Sequence, residues 1–252
     1  MGDPDILTTI NGRSIAYYKV GAQGSDERPG VVFFGGFKSD MTGGKAAFLH
    51  ETCTALGLGF LRFDYSGHGQ SSGKFEDGCI SDWLSDARDA VSQLTAGPQL
   101  FVGSSMGGWI ALLLAKEIPK RVAGLIGIAA APDFTEDSMW SAASHAQRQG
   151  IQEQGYVSIP SEYGGTYPIT RSLIEDGRHN LIMRTPYHAS FPVRLLHGTD
   201  DQDVPQERAL RLLAHLDCPD IRLVLLKGSD HRMSKDRELL LLKETLTALI
   251  YD

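Results

Sequence analysis

Two adjacent serines stand between glycines in the stretch GSSMGG at residues 103–108, and a serine in such a turn can act as a nucleophile. Only Ser105 fits the spacing G-x-S-x-G, because centring it on Ser104 would require glycines where Val102 and Met106 stand. The apolar run LFV precedes the motif, and the helical pattern GGWIALLLAKE follows it. This arrangement is typical of a nucleophile at a sharp strand-to-helix turn, so Ser105 is the predicted attacking group.

A serine hydroxyl attacks efficiently only when a base removes its proton and a carboxylate orients that base. His231 follows the last predicted strand, in the stretch KGSDHRM, and is the predicted base. Three aspartates crowd the loop HGTDDQDVP after the preceding strand, and the pattern H-G-x-x-D-x-x-V-P selects Asp201 as the acid. Asp200 is expected to be solvated, and Asp203 is expected to cap the helix that begins near Pro205.

The other histidines and Asp230 are expected to have no catalytic role. His197 lies at a strand end before the acid and is expected to shape the acid loop. Asp230 cannot easily orient the ring of its own neighbour, so it is expected to make hydrogen bonds within its loop. Four histidines in loops or in the region between residues 132 and 186 are expected at the surface or in contact with substrate: His68, His145, His179 and His188.

The negatively charged oxygen that forms when a serine attacks a carbonyl needs two preorganised N–H donors. The amide of Met106, directly after the nucleophile, is one predicted donor. The other is predicted to be the amide of Phe37, because Gly35 and Gly36 allow the loop after an early strand to face the site. The ring of Phe37 is expected to close one wall of the acyl pocket. No cofactor or metal is expected, because the nucleophile, base and oxyanion donors are all protein groups.

These residues need a scaffold in which several strands end at the same place. Short β-branched and aromatic runs alternate with helical patterns, which indicates an α/β fold with a mostly parallel sheet covered by helices. Strands are predicted within 6–18 (two, joined at Asn11-Gly12) and at 30–34, 60–64, 100–102, 122–129, 193–197 and 221–226. Helices are predicted at 44–57, 80–95, 105–117, 206–216 and 235–250. The loops that carry Ser105, Asp201 and His231 are therefore expected to meet at the carboxyl edge of the sheet.

The alternation breaks between residues 132 and 186, which we call the cap segment. It is richer in Gly, Tyr, Ser and Gln, with helical candidates near 136–149 and 170–180. A gap this long between strands predicts an inserted cap on a single domain that spans residues 1–252. Five cap residues either line an acyl channel or only pack the cap onto the sheet, and both interpretations stay open: Met139, Trp140, Tyr156, Tyr163 and Tyr167.

Composition excludes several classes of partner. The 252 residues carry a formal net charge of −7 with Lys and Arg scattered, which argues against nucleic acid. No apolar run approaches the roughly 18 residues of a membrane span, so no stable membrane insertion is expected. The three cysteines, Cys53, Cys79 and Cys218, lack C-x-x-C spacing and are expected to be buried and apolar. The absence of a targeting pattern predicts a cytoplasmic location, or the mitochondrial matrix if a transit peptide has been removed. The oligomeric state is not predicted.

The stretch GHGQSSG at 67–73 follows a strand in the manner of a dinucleotide-binding fingerprint. Its third glycine comes one residue late, and no helix begins there. The overlapping stretch GQSSGK has one residue too few for a phosphate-binding P-loop. Both stretches are therefore predicted to be loop.

Taken together, the stretches RFDYSGHGQS, GSSMGGW, LLHGTDDQDVP and SDHRM resemble the α/β-hydrolase superfamily from about residue 13 to the C-terminus. GSSMGGW, RLLHG and SDHRM look more specifically like the branch that includes the mitochondrial palmitoyl-protein thioesterase and bacterial relatives. The resemblance implies an α/β-hydrolase fold with a mostly parallel, eight-stranded sheet and a small cap. It also implies that Ser105, Asp201 and His231 hydrolyse carboxylic esters or thioesters of small molecules or S-acylated proteins through an acyl-enzyme.

Other activities occur on the same scaffold. Dehalogenases and epoxide hydrolases use an aspartate nucleophile, and Ser105 argues against both. Carbon–carbon bond hydrolases use the same triad, and some members of the superfamily are non-catalytic ligand receptors. These two alternatives stay open at the level of sequence.

Overall fold

The computed structural model describes residues 2–23, 28–160 and 166–251. Its strands in chain order are β1 (Asp5–Thr8), β2 (Ser14–Val20), β3 (Gly30–Phe34), β4 (Phe60–Phe63), β5 (Gln99–Ser104), β6 (Val122–Ile128), β7 (Tyr156–Pro160), β8 (Thr166–Thr170), β9 (Tyr187–His188), β10 (Val193–Gly198), β11 (Leu216–Asp217) and β12 (Ile221–Leu226). Its α-helices are α1 (Gly44–Ala55), α2 (Ile80–Leu94), α3 (Met106–Glu117), α4 (His145–Gln154), α5 (Arg171–His179), α6 (Gln206–His215) and α7 (Asp236–Tyr251). Short 3₁₀ turns cover Phe75–Asp77 and Pro119–Arg121, and a π-helix covers Thr135–Trp140.

Eight of these strands form one sheet in the order β1-β2-β4-β3-β5-β6-β10-β12. The pairs β1–β2 and β2–β4 are antiparallel, and all other neighbours in this sheet are parallel. The turn between β1 and β2 contains Gly12 at φ 76°, a backbone conformation that glycine adopts without steric cost. The predicted mostly parallel, eight-stranded sheet is confirmed.

Helices cover both faces of this sheet. On β3, Val32 and Phe34 point toward the face covered by α2, α3 and α6, whereas Val31 and Phe33 point toward α1 and α7. The central strand β5 is buried along its whole length. Each large apolar side chain buried in this way contributes about 1.5–3 kcal/mol. The turn that follows β5 is therefore anchored to a fully buried strand.

The cap segment differs from the prediction in its middle. The first predicted helix is a π-helix followed by α4, and the second corresponds to α5. Between them, β7 and β8 form an antiparallel hairpin that the sequence pattern did not predict, with Tyr156 opposite Thr170 and Pro160 opposite Thr166. Pro168 stands within β8, and proline normally argues against a strand because it cannot donate a ladder hydrogen bond. This hairpin is a separate two-stranded sheet, in which an edge proline is tolerated.

Two expectations from composition can be compared with the structure. Among the described residues, no helix is both long enough and apolar enough to cross a membrane. All three cysteines are free thiols, but only Cys53 is buried. Cys79 and Cys218 are half-buried, so the expectation of three buried cysteines is wrong for these two, which lie at the N-terminus of α2 and after β11.

Candidate active site

Ser105 stands at the turn between β5 and α3 in a strained backbone conformation. Its φ of 52° and ψ of −118° are rare for a residue with a side chain, and such strain persists only where the surroundings impose it. Its amide donates to the carbonyl of Ile128 (2.9 Å), and its carbonyl accepts from the amides of Gly108 (2.9 Å) and Ala131 (3.1 Å). These contacts with β6 and α3 hold the serine at the carboxyl edge of the sheet.

The two glycines of the motif are required by close backbone contacts. A Cβ atom on Gly107 would lie 2.0 Å from the carbonyl oxygen of Phe34, and one on Gly103 would lie 2.5 Å from the carbonyl oxygen of Gly107. Real Cβ atoms do not approach other atoms so closely. The spacing G-x-S-x-G around Ser105 therefore reflects the close packing of α3 against β3 and β5.

The structure brings Ser105, His231 and Asp201 into one chain of hydrogen bonds. Nε2 of His231 lies 3.1 Å from Oγ of Ser105, and Nδ1 of His231 lies 2.8 Å from Oδ2 of Asp201. The first distance falls within the range required for proton transfer between a nucleophile and its base. The second is an ordinary hydrogen-bond distance between the imidazole and the carboxylate. The Asp201 side chain has no exposed surface, whereas that of His231 is 18% exposed, so the imidazole lies between the protein interior and the opening of the site.

Asp201 is fixed by its own loop. Its Oδ1 atom accepts hydrogen bonds from the amides of Asp203 (3.0 Å) and Val204 (2.7 Å), which leaves Oδ2 directed at His231. Asp200 is exposed, as expected, and accepts a hydrogen bond from the Thr199 hydroxyl. The arrangement favours Asp201 as the carboxylate that orients the base.

Two expectations about neighbouring residues have different outcomes. His197 is buried, and its Nε2–H donates to the carbonyl of Val204 (2.8 Å) while lying 3.4 Å from Oδ2 of Asp201, so it packs against the acid loop as expected. The expectation that Asp203 caps the following helix is wrong. Pro205 occupies the position before the first residue of α6, and no side chain caps that helix.

Carboxylate and imidazole atoms of Asp201, Asp203 and His231 lie within 4.8 Å of one another, the one such grouping found in the described chain. The hydrogen bond between Asp201 and His231 accounts for this proximity without an ion.

The remaining loop residues are largely where they were expected. Asp230 accepts from the amide of Arg232 and pairs with Lys235, so it bonds within its own loop. Three of the four histidines expected at the surface or in contact with substrate are exposed: His145, His179 and His188. His68 is only 4% exposed, so the expectation that it would lie at the surface or contact substrate is wrong. The rings of Tyr65, Phe75 and Trp83 enclose it.

The two predicted oxyanion donors lie beside Ser105. Met106 is the first residue of α3, where an amide has no acceptor within the helix. The loop that carries Phe37 approaches the serine closely, because a Cβ on Gly36 would lie 3.6 Å from Cβ of Ser105. Within the described part of the chain, neither the Phe37 nor the Met106 amide donates a hydrogen bond to a protein acceptor. Both amides therefore stay candidate oxyanion donors.

A cavity of about 1010 Å³ opens over Ser105 and His231. Most of its apolar lining comes from the cap segment: Phe134, Met139, Ala142, Ala143, Ile151, Val157, Ile159, Tyr167 and Ile169. Charged and polar residues line another part: Lys38, Asp40, Lys45, Gln202, Asp203 and Arg232. The cavity thus combines an apolar wall with a polar one, and Ser105 is accessible from it.

Phe37 and the five cap residues singled out in the sequence take different positions. The Phe37 ring lines the cavity and packs edge-on against Phe134 (5.5 Å) and Tyr167 (5.8 Å). Met139 and Tyr167 also line the cavity, whereas Trp140 is flanked by the guanidinium groups of two arginines and Tyr156 is 53% exposed. Tyr163 lies outside the described residues. Met139 and Tyr167 also pack against an apolar cluster of the cap, so both interpretations stay open for these two residues.

Lys45 is a cavity residue that the sequence did not single out. Its ammonium group donates to the carbonyl of Arg232, directly after His231. Burial lowers the pKa of Lys45 to about 8, although Glu238 and Asp230 act in the opposite direction. A lone lysine in α1 carries no sequence signal of this environment, since the groups that create it come from the C-terminal part of the chain.

The family model described as the alpha/beta hydrolase family matches residues 41–241. The mitochondrial palmitoyl-protein thioesterase ABHD10 of Rattus norvegicus is 37% identical over 239 residues, which cover 94% of this chain and 79% of that protein. The Homo sapiens protein of the same name is 35% identical over 239 residues.

Two solved structures are similar over nearly the full length. A putative hydrolase from Agrobacterium vitis S4 superimposes with a TM-score of 0.94 at 39% identity and covers 98% of both chains. Mouse alpha/beta hydrolase domain-containing protein 10 superimposes with a TM-score of 0.90 at 34% identity, covering 99% of this chain and 98% of that one. The similarity therefore includes the cap segment as well as the sheet.

Proposed function

The chain belongs to the alpha/beta hydrolase family, and from this premise we propose that it cleaves carboxylic ester or thioester bonds through an acyl-enzyme intermediate on Ser105. One observation carries the proposal: an unbroken chain of hydrogen bonds runs from Ser105 through His231 to Asp201 beside a half-apolar cavity. A hydroxyl, a base and an orienting carboxylate in this order are what acyl transfer to serine requires.

The geometry supports a two-step reaction. Oγ of Ser105 attacks the acyl carbonyl while Nε2 of His231, 3.1 Å away, accepts the hydroxyl proton. Asp201 accepts the Nδ1–H hydrogen bond, which holds the imidazole in the productive tautomer and stabilises the imidazolium that forms. His231 then protonates the departing thiol or alcohol, and a water molecule activated by the same base releases the acid.

The amides of Phe37 and Met106 are the proposed donors to the oxyanion. Each such donor typically stabilises the transition state by about 3–4 kcal/mol. The α3 N-terminus adds its positive dipole end at Met106, which favours negative charge at that point. The reaction then needs no group beyond the side chains and amides of the chain.

We propose an acylated substrate whose chain lies along the cap wall. The relatives named above are palmitoyl-protein thioesterases, and the apolar lining here comes mostly from cap residues such as Met139, Val157 and Ile169. The cavity lies at the upper end of the roughly 300–1,000 Å³ usual for ligand pockets, which suits a long acyl group. In this proposal residues 132–186 act as a cap on a single domain.

Neither alternative activity is favoured. The similar proteins are named as a thioesterase or a hydrolase, which supports neither carbon–carbon bond cleavage nor a non-catalytic receptor. The named relatives are mitochondrial, and the location of this chain, cytoplasmic or mitochondrial, stays a prediction.

The test compares matched esters and thioesters with acyl chains from acetyl to palmitoyl. Ser105→Ala is expected to lower kcat by at least about 10⁴-fold, because the nucleophile is lost. The adjacent Ser104→Ala is the control, and its kcat is expected to stay within about threefold of wild type, because Ser104 has no place in the hydrogen-bonded chain. Near-native turnover in Ser105→Ala would overturn the nucleophile assignment. An optimum at acetyl or butyryl would overturn the long-chain substrate.

A further inference from the structure

His68 is a buried imidazole outside the hydrogen-bonded chain of Ser105. It is 4% exposed and lies between Gly67 (φ 72°) and Gly69 (φ 46°), in the stretch that superficially resembles a dinucleotide-binding motif. A Cβ on Gly69 would lie 2.0 Å from Oδ2 of Asp64, so the turn around His68 is tight and specific. A buried imidazole in such a turn normally has hydrogen-bond partners on both ring nitrogens.

Both ring nitrogens of His68 have partners, and these fix its tautomer. The amide of Lys38 donates to Nε2 (3.2 Å), so Nε2 carries no proton. Nδ1–H in turn donates to the carbonyl of Ser66 (3.2 Å). Burial lowers the pKa of His68, opposed by the hydrogen bond to Ser66, which keeps the ring neutral and Nε2 available as an acceptor.

Two hydrogen bonds thus connect Ser66 through His68 to Lys38. Ser66 is anchored to α2. Oδ2 of Asp86 accepts from both the amide (2.9 Å) and the hydroxyl (2.7 Å) of Ser66, and Nε1 of Trp83 donates to the Ser66 carbonyl (3.1 Å). The rings of Trp83, Phe75 and Tyr65 surround the imidazole at centroid distances of 5.1, 5.2 and 5.7 Å. His68 is therefore held by a long helix and has little freedom to move.

The other end of the connection lies in the loop of the proposed oxyanion donor. Lys38 directly follows Phe37 and has φ 57°, a left-handed conformation that costs a non-glycine residue roughly 1–2 kcal/mol. The hydrogen bond to His68 stabilises this conformation. Because the Phe37 amide lies one peptide unit earlier, its direction depends on the conformation that His68 holds.

We propose that His68 is a positioning residue, whose neutral Nε2 holds the Lys38 amide and so aims the Phe37 amide at the oxyanion. This inference rests on the proposed function, because it assigns a role in the same acyl transfer. His68 itself contacts neither Ser105 nor the reacting atoms; it acts through the backbone of the loop.

The test uses two variants that separate hydrogen bonding from packing. His68→Phe retains a ring among Tyr65, Phe75 and Trp83 but cannot accept a hydrogen bond. His68→Gln retains an acceptor oxygen at the same distance from the backbone. His68→Phe is expected to lower kcat about 10- to 100-fold, less than the 10²–10³-fold typical for complete loss of an oxyanion donor. KM, and the affinity of the substrate for a Ser105→Ala background, are expected to change less than about threefold, because the donor acts mainly in the transition state.

His68→Gln is expected to recover at least about one third of the lost kcat on a logarithmic scale, because the Lys38 amide regains an acceptor. The matched control is His50→Phe in α1, where the imidazole packs edge-on against the Phe60 ring (5.8 Å) and is not among the residues that line the cavity. Its kcat is expected to stay within about twofold of wild type. An unchanged kcat in His68→Phe, or His68→Gln no more active than His68→Phe, would overturn the proposal.

A second measurement on the wild-type protein covers the case in which His68→Phe does not fold. Nitrogen-15 NMR of the histidine rings at neutral pH is expected to show His68 neutral with the proton on Nδ1. A ring protonated at Nε2 would refute the proposal. Failure of the proposed function would look different: the wild-type protein would hydrolyse no ester or thioester, and a fluorophosphonate would not label Ser105.

Discussion

Asp200, Asp201 and Asp203 share one short loop and one side-chain chemistry, yet only one of them has the environment of a triad acid. The Asp201 carboxylate is buried and receives two amide hydrogen bonds in addition to that from His231. Asp200 faces solvent. At this scale the role of a carboxylate follows from its partners. The side chains of Asp200 and Asp201 are chemically identical, but only that of Asp201 is buried and bonded to His231.

This difference predicts opposite outcomes for two neighbouring substitutions. Asp201→Asn is expected to lower kcat about 10⁴-fold, because an amide donating to Nδ1 would favour the wrong imidazole tautomer. Asp200→Asn is expected to change kcat less than about twofold, because its carboxylate is solvated. Both are measured on the same thioester, with thermal unfolding to verify the fold. Damage in Asp200→Asn together with a mild Asp201→Asn would move the acid by one residue.

At the scale of elements, the geometry of the site depends on how closely α3 packs against the strands before it. Gly107 lies within α3, and its Cα hydrogens face the carbonyl of Phe34 at the end of β3. The β3–α3 contact therefore sets the depth at which the helix N-terminus, and with it the Met106 amide, meets the site. The loop that carries Phe37 begins at the same strand end, so one close contact positions both proposed oxyanion donors.

Two helical glycines make this packing measurable. Gly107→Ala is expected to lower the free energy of unfolding by about 3 kcal/mol, because the new Cβ would lie 2.0 Å from a backbone oxygen that cannot easily move. Gly150→Ala in α4 is expected to raise it by about 0.5–1 kcal/mol, because its nearest neighbour would be 3.8 Å away and alanine favours helix. Denaturant unfolding measures both. Equal effects of the two substitutions would contradict the packing argument.

At the scale of the whole molecule, charged groups join the cap segment to α6. Asp137 in the π-helix pairs with Arg184 of the cap and with Arg208 and Arg211 of α6, the helix after the acid loop. Buried Asp133 accepts from the amides of residues 182 and 183 and from Arg184. The cap wall of the cavity and the acid loop are thereby connected through one cluster of charges.

Asp137→Asn is expected to lower the free energy of unfolding by about 1–2 kcal/mol at neutral pH. The loss is no larger because solvent screens most of the attraction between Asp137 and the arginines. Burial alone would raise the pKa of Asp137, but its hydrogen bond with Arg184 and the charges of Arg184, Arg208 and Arg211 lower it overall. A carboxyl with a lowered folded-state pKa stabilises the fold above its unfolded value of about 4, and this stabilisation disappears as the pH falls through the folded value.

The difference between wild type and Asp137→Asn is therefore expected to shrink below about pH 4 and at high salt. The adjacent Glu136→Gln serves as control, because Glu136 has one half-exposed partner, Arg178, and its loss is expected to cost about 0.5 kcal/mol or less. Denaturant unfolding at several pH values provides the measurement. A difference that grows on acidification would contradict the assigned direction of the pKa.

The sequence by itself predicted the sheet, the helices and the candidate nucleophile, because these depend on neighbours within a short stretch of chain. Alternating apolar runs and helical periodicity predicted the strands and helices of the central layer, and glycine spacing between a strand and a helix selected Ser105 over Ser104. His231 and Asp201 also followed from local position, since parallel strands end at one edge of the sheet.

Only the tertiary structure decided the features that join distant parts of the chain. The burial of His68 and its bond to Lys38, the lowered pKa of Lys45 and the β7–β8 hairpin have no local signal. The bond between His68 and Lys38 joins residues 30 apart, and that between Lys45 and Arg232 joins residues 187 apart. The β7–β8 hairpin is a local pairing, but it contains a proline that a local pattern would reject. The polarity of the cavity walls was decided in the same way, because residues from the cap, α1 and the last loops meet there only after folding.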